Sequence, residues 1–422
     1  MRDIILKALQ ALNIAEYQIE ENETESAELF FIKKTLDMRR TKRIHGYAVT
    51  VYRDFEADGT KFRGMSQAQI FESMTPAEVE KSLKGAWFAA QFVKNPAFRL
   101  YAGRKEAPVE MPSTLAERPL EENALLMAEA LFAADTDQDA FINSAEIFAT
   151  KRRKGISSSR GTDVEYTRWE IEGEFVTQCK EPQDVEQFFQ FSYAGLNTDA
   201  LTEKAKQAIA AVRDRAAAQK SPQAGTYSVV LSGDQVASLM GYYTERSLAP
   251  YVYAHYSDWT VGKQVQGEDV QGEKLDLTLL PVAPYSDEGI PMVARPLIRD
   301  GELKLIYGAN RFCQYLGIEP TGYYERIGLG NGTVPLKELQ NGCLCPVSFS
   351  GFEMDSFTGH FGGEIRLAYL YTDEGVQILT GGSINGSLSE KQGNLLFSNE
   401  RYDTLNYTGP FAVRIDGVEV AG

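Results

Sequence analysis

Three histidines and four cysteines are all the imidazole and thiol ligands that this 422-residue chain offers a metal. His45, His255 and His360 lie far apart, and none falls in a short His/Glu pattern, so an H-E-x-x-H or H-x-H zinc helix is absent. The cysteines (Cys179, Cys313, Cys343 and Cys345) include no C-x-x-C pair, and two stand as Cys-Leu-Cys. In an extended strand those two would face one side and could share an ion. Small buried strand residues are the simpler reading. A disulfide framework is not expected, and the N-terminus lacks the long apolar segment and small-residue cleavage site of a signal peptide, so a cytoplasmic setting is expected.

Long apolar runs are missing too. No stretch approaches the about 20 residues that cross a bilayer, so no membrane association is expected. Positive charge is in deficit: 43 basic against 59 acidic side chains, a net charge of −16. Such a surface repels phosphate backbones, and no nucleic-acid partner is expected. The one basic run identified, "KRRKG" at Lys151–Gly155, reads as a solvated hairpin turn. There is no P-loop, no G-x-G-x-x-G after a strand, and no G-x-S-x-G elbow. "SFSGFE" at Ser348–Glu353 lacks the first glycine of such an elbow. "GLGNGT" at Gly328–Thr333 has the glycines of an anion nest but no following lysine, and reads as a loop.

What is present is ordinary globular composition, 43% hydrophobic and 24% charged, with ample material for sizeable cores. The length implies more than one domain. The first third reads as helix-rich, with helices over Arg2–Ala15, Pro76–Phe92 and Glu121–Ala134. Between them lies a strand pair turning at Ala57-Asp58-Gly59. Long alternating strands follow Phe141, then an Ala-rich helix, then the linker candidate "SPQAG". From Gly225 the chain is rich in glycine and short strands. The expectation is an α+β protein, with an N-terminal mixed helix/sheet domain over 1–222 and a β-rich domain over 223–422.

Two acidic stretches invite a cation. "DTDQDAFINSAE", Asp135–Glu146, carries the ligand spacing of an EF-hand loop but has Ala140 where the turn needs glycine, and a strand rather than a helix follows. Calcium there competes with a plain Asp-rich turn. Asp287-Glu288-Gly289 reads as a solvated acidic turn. A third stretch, "GTYSVVLSGDQVASLMGYYTERSLAP" (Gly225–Pro250), reads as a strand feeding a helix through a tight turn, with no obvious catalytic group on the helix. His255, in "YVYAHYSDW", reads as a packed residue among aromatics.

Several segments together resemble the TldD/TldE (PmbA) family, also described as modulators of DNA gyrase. They are "DEGIPMVARPLIRDGELKLI" (Asp287–Ile306), "LGIEPTGYYER" (Leu316–Arg326), "FEMDSFTGHFGGEIRLAYLYTDEGV" (Phe352–Val376) and the closing "GPFAVRIDGVEVAG". Their order along the chain carries the likeness, more than any one motif. The resemblance implies two branches. TldD-type members are zinc metallopeptidases with an H-E-x-x-x-H helix and a cysteine ligand near the C-terminus. TldE-type members lack these groups and pair with a TldD-type subunit. Anchored on Val229–Leu231, the zinc-helix positions fall on Gly241, Tyr242 and Arg246, and no cysteine follows Cys345. The resemblance therefore implies no catalytic residue, no metal and no cofactor in this chain. It implies a TldD-like partner bearing H-E-x-x-x-H, or self-association as a homodimer, and peptide substrates. A self-sufficient hydrolase using His255 or His360, and a homodimeric ligand-binding protein, stand as alternatives.

Overall fold

In the computed structural model, which describes residues 1–422, helix α1 (Arg2–Ala11) leads into strands β1 (Glu16–Ile32), β2 (Thr35–Ala57) and β3 (Thr60–Phe71). Asp58 and Gly59 join β2 to β3, with φ of 52° and 73°. Two successive positive φ values make this the tight hairpin expected at that point. Helix α2 (Pro76–Ala90) starts at a capping box: Thr75 accepts from the Glu78 backbone N–H, Glu78 accepts from that of Thr75, and Pro76 occupies the first turn. Helix α3 (Leu120–Ala133), strands β4 (Ala140–Ser158), β5 (Asp163–Cys179) and β6 (Val185–Tyr193), and helix α4 (Thr198–Ala217) complete this half.

The strands form one eight-stranded sheet in the order β3-β2-β1-β4-β5, with β6 on β5 and two-residue strands on β3 and β5. Its long strands carry two separate cores. Ile5 and Leu9 of α1 and Val79 and Leu83 of α2 pack with Ile19, Val49, Val51 and Ile70. Met127 and Leu131 of α3 and Leu201 and Ile209 of α4 pack with Leu29, Ile147, Ile171 and Phe175. Each fully buried side chain of this kind contributes about 1.5–3 kcal/mol, so the two packed ends hold the sheet.

The middle is polar, and there two expectations fail. The middle of β1 and the first half of β2 lack apolar alternation because they contribute to neither core, which hides long strands inside an apparently helix-rich third. The "KRRKG" run is no turn either. It lies within β4, and the turn to β5 falls at residues 159–162. Arg153 reaches Glu21, Glu23 and Glu165 at 2.8, 2.9 and 2.8 Å. Lys154 meets Glu20 at 3.1 Å and Asp287 at 2.6 Å, and Arg152 hydrogen-bonds Glu170. A second basic segment is Lys33–Arg43. It lies along the β1–β2 hairpin, with Arg43 opposite Glu25 and Arg40 opposite Glu28.

Residues 218–224, containing most of "SPQAG", separate α4 from strand β7 (Gly225–Ser232). Helix α5 (Asp234–Arg246), the short helices α6 (Ala249–Tyr253) and α7 (Asn310–Leu316), and strands β8 (Leu344–Met354), β9 (His360–Thr372), β10 (Ser383–Ser387) and β11 (Ala412–Ala421) follow. The sheet path β8-β7-β11-β10-β9 closes on itself, because β8 also pairs with β9. A six-stranded sheet lies beside it, and one core of 34 buried residues, all between Val229 and Val420, serves both. No helix is long and apolar enough to cross a membrane.

Candidate functional site

The strand–turn–helix at Gly225–Arg246 forms as its pattern predicts. β7 buries Val229, Val230 and Leu231. Gly233 then takes φ +63°, a conformation that favours glycine, and α5 begins at Asp234, whose negative charge suits the helix N-terminus. The apolar face of α5 (Val236, Leu239, Met240, Tyr242 and Tyr243) enters the core.

Gly241, Tyr242 and Arg246 have three different surroundings. A Cβ added at Gly241 would meet no atom within 4 Å, so there is room but no donor. Tyr242 is 5% exposed and stands edge-on to Trp259 with ring centroids 5.6 Å apart. Burial pushes its phenol above the ordinary range, although Arg246 pulls the other way. The Arg246 guanidinium lies 5.2 Å from the Trp259 ring centre and 5.5 Å from that of Tyr242. It donates to the Phe357 carbonyl oxygen at 2.9 Å and to Asp258 at 3.1 Å. A permanently charged guanidinium repels a metal cation, a buried phenol is a poor base at neutral pH, and glycine has no side-chain ligand. Nor is any group of three or more His, Cys, Asp or Glu side chains placed to hold a metal ion. The residues on this helix do not fit the zinc that the resemblance implies for TldD-type members.

The end of α5 is bordered by aromatic rings. Phe357 stacks on Tyr251 at 5.2 Å with 17° between planes and meets Tyr256 edge-on at 5.4 Å. Tyr253, Tyr256 and Phe357 are exposed. At the start of α5, Asp234 accepts from the Tyr402 hydroxyl at 2.9 Å, and Lys204 of α4 donates to that hydroxyl at 3.2 Å. Burial pushes the Lys204 ammonium below its usual range, against the pull of Asp234. Lys204, Phe357 and Tyr402 were not singled out from sequence, and Trp259 stood there only as the end of the aromatic segment "YVYAHYSDW". They come from four separate segments, and no local spacing links them.

The other candidates fall out as follows. His255 is exposed at φ +60°, which corrects the expectation of a packed residue; it ends a short helix in a left-handed turn. His360 is exposed too, and His45 alone has its ring against carboxylates, Glu21 at 2.8 Å and Glu72 at 2.7 Å. Cys343 and Cys345 are buried with Val230, Leu339 and Ala412, and burial raises both thiols. In Asp135–Glu146 the chain becomes strand β4 at Ala140, so Glu146 sits opposite Phe30 and Glu174 rather than closing a loop. Asp137 instead accepts the Asp139 backbone N–H at 2.8 Å and pairs with Arg213. At the end of "GLGNGT" the chain's own carboxylate takes the backbone donors: Glu273 accepts the Thr333 N–H at 2.9 Å and the Phe397 N–H at 2.8 Å.

The Asp287-Glu288 turn is solvated only in part. Asp287 is exposed and pairs with Lys154. Glu288 is half-buried, accepts the Asn310 N–H at 2.8 Å, and has its carboxyl raised by burial. This turn joins the two halves, with Gln18 donating to the Asp287 carbonyl at 2.6 Å and Asn310 to that of Arg99 at 2.7 Å. Nearby, Tyr101, Arg104, Glu106, Val164, Tyr285 and Pro291 line a cavity of about 330 Å³.

Comparison with known proteins supplies the wider context. Residues 224–422 match the family model described as PmbA/TldA metallopeptidase C-terminal domain. The whole chain superposes on the crystal structure of a proposed modulator of a DNA gyrase from Thermotoga maritima (TM-score 0.77, 17% identity, covering 100% of this chain and 99% of that one). It superposes similarly on TldE from Thermococcus kodakarensis (0.76, 16%, covering 100% of each). A proposed DNA gyrase modulator from Bacteroides thetaiotaomicron is a third relative in fold (0.78, 16%, 100% and 98%). No curated protein matches the chain.

Proposed function

Because the chain belongs to the TldD/TldE (PmbA) family, we propose that it is a zinc-free subunit of the TldE/PmbA type. It pairs with a TldD-type metallopeptidase subunit that carries H-E-x-x-x-H, and the pair acts on peptides or unfolded segments in the cytoplasm. The observation that carries this reading is the donor set on α5. Gly241 offers no ligand, Tyr242 is sealed against Trp259, and Arg246 puts a fixed positive charge on the last turn. We place the domain boundary at 222/223, between α4 and β7, where each side keeps its own large core.

In this arrangement the chain's own residues bind and position rather than hydrolyse. Open sheet edges accept extended peptide by main-chain hydrogen bonds. Co-expression with an H-E-x-x-x-H homologue from the same genome tests the proposal. A stable complex, with the peptidase activity of that homologue dependent on this chain, is the expected result. Failure to co-purify, with the homologue equally active alone, would sink it.

A second reading is a homodimeric ligand-binding protein, favoured by the exposed aromatic border of Tyr253, Tyr256 and Phe357. A dimer of the isolated chain that carries a bound small molecule through purification would favour it over the first.

A further inference from the structure

β2 is bonded along both edges only in part. β3 ends at Phe71, opposite Gly46, so from Thr35 to His45 the strand pairs with β1 alone. Thr35–Ile44 are all exposed. The register against β1 slips between Phe30 and Phe31 but runs unbroken from Met38 to His45. That leaves an open strand edge of about 27 Å, in line with β3. Natural sheets blunt such edges with charge, proline, or a covering loop. From Met38 to His45 the fixed charge is of one sign, at Arg39, Arg40, Lys42 and Arg43, with Arg39 also meeting Glu121 of α3 at 2.9 Å, and apolar Met38 and Ile44 stand exposed beside it, with Phe71 at the end of β3. Exposed apolar side chains do not serve to blunt an edge.

The strand already seated on the inner edge shows the composition that β2 accepts. β1 presents Glu23, Glu25 and Glu28, and these pair with Arg43 and Arg40. A second copy of β2 laid antiparallel on the open edge would set basic residues against basic residues, which is destabilising. We propose that the Met38–His45 edge of β2 is a strand-addition site for an acidic, extended segment of a different protein, with its carboxylates on Lys42 and on the exposed guanidiniums of Arg39, Arg40 and Arg43, shared with Glu121, Glu28 and Glu23, and apolar residues on Met38 and Ile44. This surface lies in the N-terminal half and does not depend on whether α5 binds zinc.

The test uses the full chain and a fluorescein-labelled peptide of its own β1 sequence, EENETESAELF, in low salt. Saturable binding is expected, read by anisotropy, with hydrogen-exchange protection gained at Met38–His45. Charge reversal by Arg39→Glu with Lys42→Glu weakens it tenfold or more, and Lys42→Glu alone gives the same direction if the double variant misfolds. Methylating alternate backbone nitrogens of the peptide abolishes binding. Four results would overturn the proposal: no binding; equal binding of the N-methylated peptide, meaning charge attraction alone; tighter binding of a single-stranded oligonucleotide than of the peptide; or a self-association of the chain that the charge reversal disrupts, meaning the edge serves a second copy.

Discussion

The guanidinium of Arg246 lies over the indole of Trp259, 5.2 Å from its centre, and so seals the last turn of α5 with a cation rather than a ligand. The two residues are thirteen apart in sequence, joined by a short helix and a left-handed turn at His255. Arg246→Ala removes this stacking and the bonds to Phe357 and Asp258. The expected loss is about 2 kcal/mol, read as a lower midpoint in urea. Arg246→Lys restores little of it, because an ammonium cannot stack or fork as guanidinium does. A loss below about 0.5 kcal/mol for the alanine variant, within the ordinary range for surface changes, contradicts the sealing role.

Gly241→Ala moves stability the other way. The space beside Gly241 is open, and alanine is the better helix former by about 0.5–1 kcal/mol. The variant unfolds at higher temperature in a thermal scan. Destabilisation would mean that something occupies that space in the folded protein.

Arg153 tests the charged middle of the sheet. Burial raises the Glu21 carboxyl, but hydrogen bonds from Arg153 and His45 outweigh it and hold the group below the usual range. Hydrogen bonds from Arg43 and Arg153 do the same for Glu23. A depressed carboxylate contributes stability above its unfolded pKa and loses it as pH falls through its folded value. Arg153→Ala is therefore expected to cost about 2 kcal/mol near neutral pH. The gap from wild type should close below the ordinary carboxylate range. A gap that stays constant with pH would assign the loss to packing.

Much of the fold was legible, and the gaps have physical causes. α2, α3 and α4 each bury one apolar face and carry the matching 3.6-residue period. The β2–β3 hairpin announces itself through Asp58-Gly59. β1 did not, because "EENETES" spans the uncovered middle of the sheet, where neighbouring cations rather than a core set the residue pattern. "KRRKG" looked like a turn for the same reason: its partners Glu20, Glu21, Glu23 and Glu165 lie on two other strands. At the candidate site, the poverty of α5 could be read from Gly241, Tyr242 and Arg246 alone. Trp259 and Phe357, which hold Arg246 in place, could not, since only the folded chain brings them together.

Glu288 gives a second pH signature of opposite sign. Burial raises its carboxyl, with Asp287 adding to the effect and the Asn310 N–H opposing it. A raised carboxylate contributes stability below its unfolded pKa and loses it as pH rises through its folded value. Glu288→Gln keeps an acceptor for Asn310 and removes the half-buried charge. It is expected to be more stable than wild type near neutral pH and equal to it in mild acid, by thermal scans across pH. An advantage that persists unchanged in acid would place the effect elsewhere than the charge.

The most direct measurement is the zinc content of the purified complex between this chain and its H-E-x-x-x-H homologue, before and after the homologue's two histidines are replaced by alanine. The expected result is about one zinc per complex, falling to none in the variant, with the complex still assembled. Zinc retained after that replacement, or zinc-dependent peptidase activity of this chain alone, would contradict the claim that α5 has given up its metal.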